Sequence, residues 1–349
     1  MAPSPRISAR PTTCRPRDET TPTVVRSAVA TLACATLAVV SAPAAWAQSS
    51  TAPPPTGSTR ASSEAPPPRH RLLQTTYVAA RLNPLGLFAQ MQLSYRFRLY
   101  EGEGALLRDN YVSIGLLPTI SPAFARLGAQ LEVQPVAALR LTGAIESSSY
   151  FGTFNLFQSF PTVTAPFSDS DIKRGGEADL EYRTNVLQAT LGALLQARLG
   201  SIVVRNNLRG VYFNAATRNG DRAFYDQFFD VMAPDDGWVL FDDADLLYEI
   251  KPGFLVGARF HLAHAIYEGR HYLPGEDRTN PNTPMMRLGP FAAYRLSEDD
   301  GSLFHSPTLV LSAQWHLAHR WRTGEDTSAG LPMILLAFAF SSDLASSSD

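Results

Sequence analysis

Two sets of residues in this chain could do chemistry, and both sit at every second position of apolar stretches. The first is a series of arginines: Arg96, Arg98, Arg126, Arg140, Arg198, Arg205, Arg209, Arg259, Arg287, Arg295 and Arg320. The second is a smaller series of acids placed in the same rows: Glu132, Glu146, Asp243, Asp245 and Glu249. Cations gathered on one face select anionic solutes if that face lines a pore. The same residues fill a closed interior if each arginine takes a carboxylate partner. Sequence alone leaves both outcomes open.

Other candidate chemistry is thinner. Two short echoes, His261-Leu-Ala-His264 and His316-Leu-Ala-His319, look like ligand pairs. On a strand, positions i and i+3 point to opposite faces, so neither pair chelates one ion. His261 and His316 are expected to face inward without completing a metal site, which would need a third and fourth ligand. Asp235, Asp236, Asp242, Asp243 and Asp245 form an acidic run at the expected outer mouth, but its spacing is not that of an EF-hand loop, and a solvated loop face is the expectation. No Gly-x-Ser-x-Gly, His-Glu-x-x-His or phosphate-binding glycine loop occurs. Ser306 adjoins His305, but neighbours on a strand point apart. The expectation is no catalytic residue, no cofactor and no metal; a lipid-modifying barrel hydrolase is the enzymatic alternative.

The elements that must carry these residues are long two-sided strands. From Gly86 to Tyr100, Leu87, Ala89, Met91, Leu93, Tyr95, Phe97 and Leu99 alternate with Phe88, Gln90, Gln92, Ser94, Arg96 and Arg98. A period of two separates these sets onto opposite faces of a strand and would scramble them on a helix. The same alternation runs through Leu187–Leu199, Phe254–Ile266 and Leu309–Trp321. Such runs exceed the usual globular strand of about 5–6 residues and match the roughly 9–11 needed to cross a bilayer at a tilt. About twelve strands are predicted, near 74–83, 86–100, 111–120, 124–134, 138–149, 177–199, 201–214, 238–251, 253–267, 286–297, 307–321 and 331–340. The long connections 150–176, 215–237, 268–285 and 322–330 fall on one side, and most turns on the other side are short. Tyr95, Phe97, Tyr100, Tyr212, Trp238, Tyr248, Tyr267, Trp315 and Trp321 lie near predicted strand ends, where an amphipathic ring suits a headgroup boundary.

What precedes these strands reads as an address. Ala28–Ala42 is an uncharged apolar run that follows Arg26 and leads to Ala-Trp-Ala at 45–47. That is the form of a secretory signal peptide over residues 1–47, too short to be a membrane-spanning helix. Residues 1–23 make a long preamble, and translation is expected to begin near Val24 or Val25. Residues 48–71, with Pro53-Pro54-Pro55 and Pro66-Pro67-Pro68, cannot bury a core and are expected to be a disordered periplasmic linker. Cys14 and Cys34, the chain's two cysteines, both precede residue 48, so the mature part has no disulfide and no thiolate site. Charged residues make up only 18% of the chain and the net charge is -2, without the basic stripe that nucleic-acid binding needs.

The final apolar alternation, Ile334, Leu336, Phe338 and Phe340, resembles the C-terminal signal of bacterial outer-membrane β-barrel proteins; it departs from that pattern in a tail, 341–349, beyond the aromatic. At the level of architecture the resemblance spans 72–340. It implies an all-β, antiparallel transmembrane barrel in the outer membrane, in contact with lipid and lipopolysaccharide and inserted by the barrel-assembly machinery through its last strand. Three functional classes remain: a passive channel for small anionic solutes, a structural or surface-binding barrel with a plugged lumen, and the lipid-modifying enzyme. Phe151, Phe154, Phe157 and Phe160 in the loop 150–176 are candidates either for a surface patch or for a plug.

Overall fold

The computed structural model describes residues 68–297 and 305–347. The expected signal peptide and nearly all of the expected linker lie outside the described residues. The wall is a closed antiparallel barrel of twelve strands: β1 His70–Leu82, β2 Gly86–Phe97, β3 Tyr111–Leu116 resumed at Thr119–Ile120, β4 Phe124–Val136, β5 Leu139–Phe151, β6 Arg183–Leu199, β7 Ile202–Ala215, β8 Gly237–Lys251, β9 Phe254–Ala265, β10 Met285–Arg295, β11 His305–Ala318 and β12 Met333–Ser347. β3 is one strand in two pieces, because both segments pair with β2 on one side and β4 on the other. Leu117-Pro118 interrupts it, as expected where proline cannot donate to the ladder. Each other strand pairs with its sequence neighbour, and β1 closes the ring on β12 from Leu82↔Ile334 to His70↔Ser347. Closure removes the unpaired edges that an open sheet of this length would expose.

Alternation decides which residues face in. Leu127, Leu131, Ile145, Leu191, Leu195, Leu246, Leu311 and Leu336 are exposed, while Arg126, Gln130, Glu132, Glu146, Arg205, Asp243, Asp245 and Arg259 on the alternate positions are buried. A soluble barrel would turn its apolar set inward. Here the oily set forms the outer surface, the arrangement of a wall built to face lipid. Tyr95, Tyr100, Trp238, Tyr248 and Trp315 are among the exposed rings. The chain therefore has the architecture of a bacterial outer-membrane β-barrel.

Most strand boundaries shift by one to a few residues from the sequence reading, and four shifts change what a segment is. β1 starts at His70 and takes two residues from the expected linker. β6 starts at Arg183, because Asp169–Glu177 before it forms a helix, α1, with a reciprocal Ser168–Asp171 capping box. β11 ends at Ala318, so His319, Arg320 and Trp321 belong to a loop. β12 continues through Ser347: Ser341–Ser347 is wall rather than tail, pairing with β1 and held by Arg71–Asp343 at 3.0 Å.

The strand ends divide the connections into two classes. The end at which β1 starts and β12 finishes has two-residue turns at 137–138, 200–201 and 252–253. Gly200 and Gly253 have positive φ there, which those tight turns require. The other end carries the long connections 152–182, 216–236, 266–284 and 319–332.

Candidate functional site

The interior divides into two layers. The layer toward the short turns is filled by strand side chains in ion pairs. Register places Asp245 between Arg205 on β7 and Arg259 on β9. Arg205 Nε donates to Asp245 Oδ2 at 2.8 Å; Arg259 Nε donates to Oδ1 at 2.6 Å and its Nη2 to Oδ2 at 2.9 Å. Two residues along, Asp243 accepts from Arg209 at 3.1 Å and meets His261 Nδ1 at 2.8 Å. Arg198 pairs with Glu249, and Arg140 lies 3.5 Å from Glu132, which also accepts from Ser113. At the boundary with the loop layer, Arg126 donates to Ser148 at 2.7 Å. Arg259 and Arg96 lie over the rings of Phe291 and Tyr111 at 4.3 Å each. Gly128 belongs to the same packing: a Cβ there would strike the Glu146 side chain, which fills that space. A cavity bounded by Glu132, Arg140, Thr190 and Arg209 has a volume of about 20 Å³, room for about one water.

The residues singled out for the interior lie mostly on buried or half-buried positions of the strands. Arg287 lies opposite His316 across β10 and β11, and Arg295 lies near the turn at Gly253. Two of them, Arg98 and Arg320, lie past the strand ends. Arg98 follows the end of β2 and pairs with Glu101 in the connection 98–110. Arg320 lies in the loop after β11, donating to the Thr164 carbonyl and stacking on Trp321. That loop also brings His319 back inward, its ring centroid 5.3 Å from that of His316, against the expectation of opposite faces. The acidic run divides: Asp243 and Asp245 are buried in the ion pairs, Asp242 faces out, and Asp235 and Asp236 stay in the loop. Trp321 is buried among loop residues rather than set in a girdle. Tyr267 packs against the same loop core and donates to the Met232 carbonyl.

The layer toward the long loops is filled by the loops themselves. Residues Ala223–Asp226 and Val231–Pro234 form a hairpin buried along its full length, with Ser159–Phe160 paired to its edge. Its rings interlock with the inner wall. Phe224 stacks on Phe157 at 4.8 Å and meets Phe213 edge-on. Phe229 stacks on Phe241 at 4.6 Å. Phe228 packs between Phe88 and Phe124, with the Arg126 guanidinium 4.9 Å from its centroid. Of the aromatics expected in the loop after β5, Phe157 is fully buried in this cluster and Phe160 packs against it, whereas Phe151 and Phe154 are exposed.

Polar contacts fix the hairpin turn. Asp226 caps it by accepting from the Phe229 amide at 3.0 Å, and Tyr150 donates to its other oxygen at 3.2 Å. Arg81 donates to the carbonyls of Gln227 and Phe228. Arg322 makes two bonds to Asp230, at 3.0 and 3.1 Å, and two more to Asp169 at the start of α1, at 3.0 Å each. Tyr225 donates to Asp230 at 2.9 Å. Burial alone would raise the Asp230 carboxyl, but Arg322 and then His319 outweigh it and hold it well below the usual carboxylate range. Asp226 lacks a bonded cation, and its burial pushes it up. The hairpin, Arg81 and the Arg322–Asp230 pair escaped the sequence reading. The available signal was composition: Ala223–Pro234 contains three phenylalanines, a tyrosine, a valine and a methionine, which is very apolar for a solvated loop.

On the outside of the loop layer, an open groove of about 550 Å³ runs between α1 and the loop after β11. Its walls include Ser170, Lys173, Arg174, Glu177, Glu325 and Asp326, with Trp321 at its base. Ser170 bridges the two sides through Asp326 at 2.8 Å.

No protein-family model matches the chain, and no curated protein sequence matches it. Solved structures superpose loosely. A KdgM porin aligns at a TM-score of 0.37 and 6% identity, covering 78% of this chain and 99% of its own. A NanC porin aligns at 0.37 and 7%, covering 78% and 100%, and LpxR from Salmonella typhimurium at 0.35 and 8%, covering 78% and 100%. The membrane architecture rests on the wall's own closure and its apolar exterior.

Proposed function

We propose that this protein is a filled outer-membrane barrel that works at its extracellular loop face, with hairpin 223–234 as a resident plug. One observation carries the reading: both strands of the hairpin are buried along their whole length inside the loop end of the barrel, and its turn is fastened by Arg322 and Arg81. Below it Arg140, Arg198, Arg205, Arg209 and Arg259 are engaged with carboxylates, so their charge is internally compensated rather than presented to a solute. On this reading the chain is exported through a cleaved leader, and the long loops face outward, since outer-membrane barrels keep their short turns in the periplasm. The groove beside α1 is then a surface-facing contact site, and the exposed wall meets lipid and lipopolysaccharide.

The second reading is a channel for small anions held shut by the hairpin. The run of interior arginines favours it, since Arg287 faces inward opposite a histidine rather than an acid. Planar-bilayer recording separates the two. Wild-type protein is expected to give no conductance steps, and a chain lacking residues 223–234 is expected to stay silent as well, because the ion-pair layer remains. Steps with anion preference that appear only after deletion establish the gated channel. Steps from the wild type overturn the plug altogether.

A further inference from the structure

The outer wall carries a feature that neither filling the barrel nor capping it explains. Asn206 on β7 and Asp242 on β8 both point outward, and Asn206 Nδ2 donates to Asp242 Oδ1 at 2.6 Å. They sit among exposed apolar residues: Val204 and Leu208 flank Asn206, and Leu240 and Leu246 lie along the same face of β8. Trp238 marks the loop-side boundary of β8 and Tyr248 the opposite one, both exposed. At about 3.3 Å per residue along a tilted strand, Asp242 lies roughly 10 Å inside the Trp238 level. The carboxyl is therefore within the hydrocarbon zone.

An ionisable side chain there is expensive and is retained where it has a partner. The inward acids Asp243 and Asp245 have arginines and a histidine, whereas among the described residues Asp242 has an amide alone. One bond leaves the second carboxylate oxygen, the second amide hydrogen and the amide oxygen to be matched. Acyl chains offer nothing to match them. A second copy of the same wall offers a self-complementary set. Turned by a two-fold axis, its amide meets this carboxylate and its carboxylate meets this amide. Ala193 on β6 and Ala244 on β8 pair in register with Leu208 and Asn206, so no bulky side chain at those two positions blocks close approach.

We propose that the outward face of β6 to β8, centred on Asn206 and Asp242, is a self-association surface pairing two copies of this chain in the membrane. This rests on the wall lying in lipid and is independent of whether the lumen conducts.

The test uses the full chain purified in detergent and reconstituted in phospholipid vesicles. Cys14→Ser and Cys34→Ser provide a thiol-free background. Native mass spectrometry is expected to find dimers, and Ala244→Cys near the axis is expected to cross-link with a short bis-maleimide while Leu311→Cys on the far wall does not. The paired substitution Asn206→Leu with Asp242→Leu is expected to raise the dimer dissociation constant on the order of tenfold. Asp242→Asn keeps a donor and an acceptor and is expected to stay close to wild type. The shift in gel mobility on boiling reports that each variant is folded. Monomers at every concentration, without an Ala244→Cys cross-link, overturn the proposal, as does a dimer indifferent to the paired substitution. If the paired variant does not fold, the two cross-linking positions decide. Vesicle flotation reports separately on the membrane reading: protein that fails to float removes its premise.

Discussion

The two layers of the interior are filled by different physics. Toward the short turns, neighbouring strands bring Arg205, Asp245 and Arg259 into contact through ladder register, so charges compensate one another locally. Toward the long loops, a chain segment folds back and buries aromatic area against its flanking strands at Phe213 and Phe241 and against distant ones at Phe88 and Phe124, with Arg322 and Asp230 as its ionic fastening. The first layer is inseparable from the wall. The second is an inserted part, and its contacts join residues far apart in sequence, such as Arg81 to Phe228 and Arg322 to Asp169. On the proposed reading this barrel is closed twice, and the second closure is the one expected to be removable with the wall intact.

The sharpest way to break this comparison is to unbalance the first layer. Asp245→Ala leaves two buried guanidiniums, on Arg205 and Arg259, without their common carboxylate. Removing one partner of a buried ion pair typically costs about 3–5 kcal/mol. Urea unfolding in micelles, followed by the boiling-dependent gel shift, should show the loss in the barrel as a whole, while protease cleavage of the loops below the transition stays as in the wild type. Loops that become cleavable while the barrel midpoint is unmoved would mean the two layers are not separable as described.

The complementary change sharpens it from the other side. Phe224→Ala removes a fully buried ring stacked on Phe157 and edge-on to Phe213. A large-to-small change of this kind costs about 3–5 kcal/mol in a rigid core. Here the cost should fall on seating of the hairpin: cleavage after residues 222–234 should appear at protease levels the wild type resists, with the wall's unfolding midpoint nearly unchanged. Unaltered cleavage would show that Arg322 and Arg81 hold the hairpin without its aromatic packing.

The same division explains what the sequence revealed. Strand count, closure and the inward set were legible because a period of two assigns every residue of a long strand to a face; Glu132, Arg205 and Asp245 could be placed that way. Their partners follow from register, which alternation constrains but does not state, so a cationic lining and a compensated interior looked alike. The loops carry no periodicity. His319 and Trp321 continued the β11 alternation on paper, yet the strand ends at Ala318 and the chain turns in to meet Asp230 and Phe167. Nothing local marks that turn; the contacts that favour it come from residues about 90 and 150 positions away (roughly, by sequence distance), beyond the reach of local propensity.

The smallest expected effect concerns the rim of the loop layer, where His271 ties the loop 266–284 to the one before it. Its Nδ1 accepts from the Glu268 amide at 2.9 Å and its Nε2 lies 3.0 Å from the Asp235 carbonyl. Both contacts are met only by the neutral ring with its proton on Nε2, since a protonated Nδ1 would face an N–H. Burial, with Arg270 nearby, lowers its pKa, against weaker opposing pulls from Asp235 and Glu268. The unfolded chain then takes up a proton before the folded one does. The stabilisation is full above about pH 6.5 and is lost as pH falls from there toward the lowered folded value. Hydrogen exchange of 266–284 should accelerate between pH 7 and pH 5 beyond the intrinsic pH dependence, while the hairpin 223–234 does not follow. Its fastening acid, Asp230, has a depressed pKa and stays charged throughout that range. His271→Gln should flatten the excess at 266–284. An excess that persists in the variant, or that extends to the hairpin, would place the acid-sensitive group elsewhere and make the loop layer one cooperative unit rather than a plug with a looser rim.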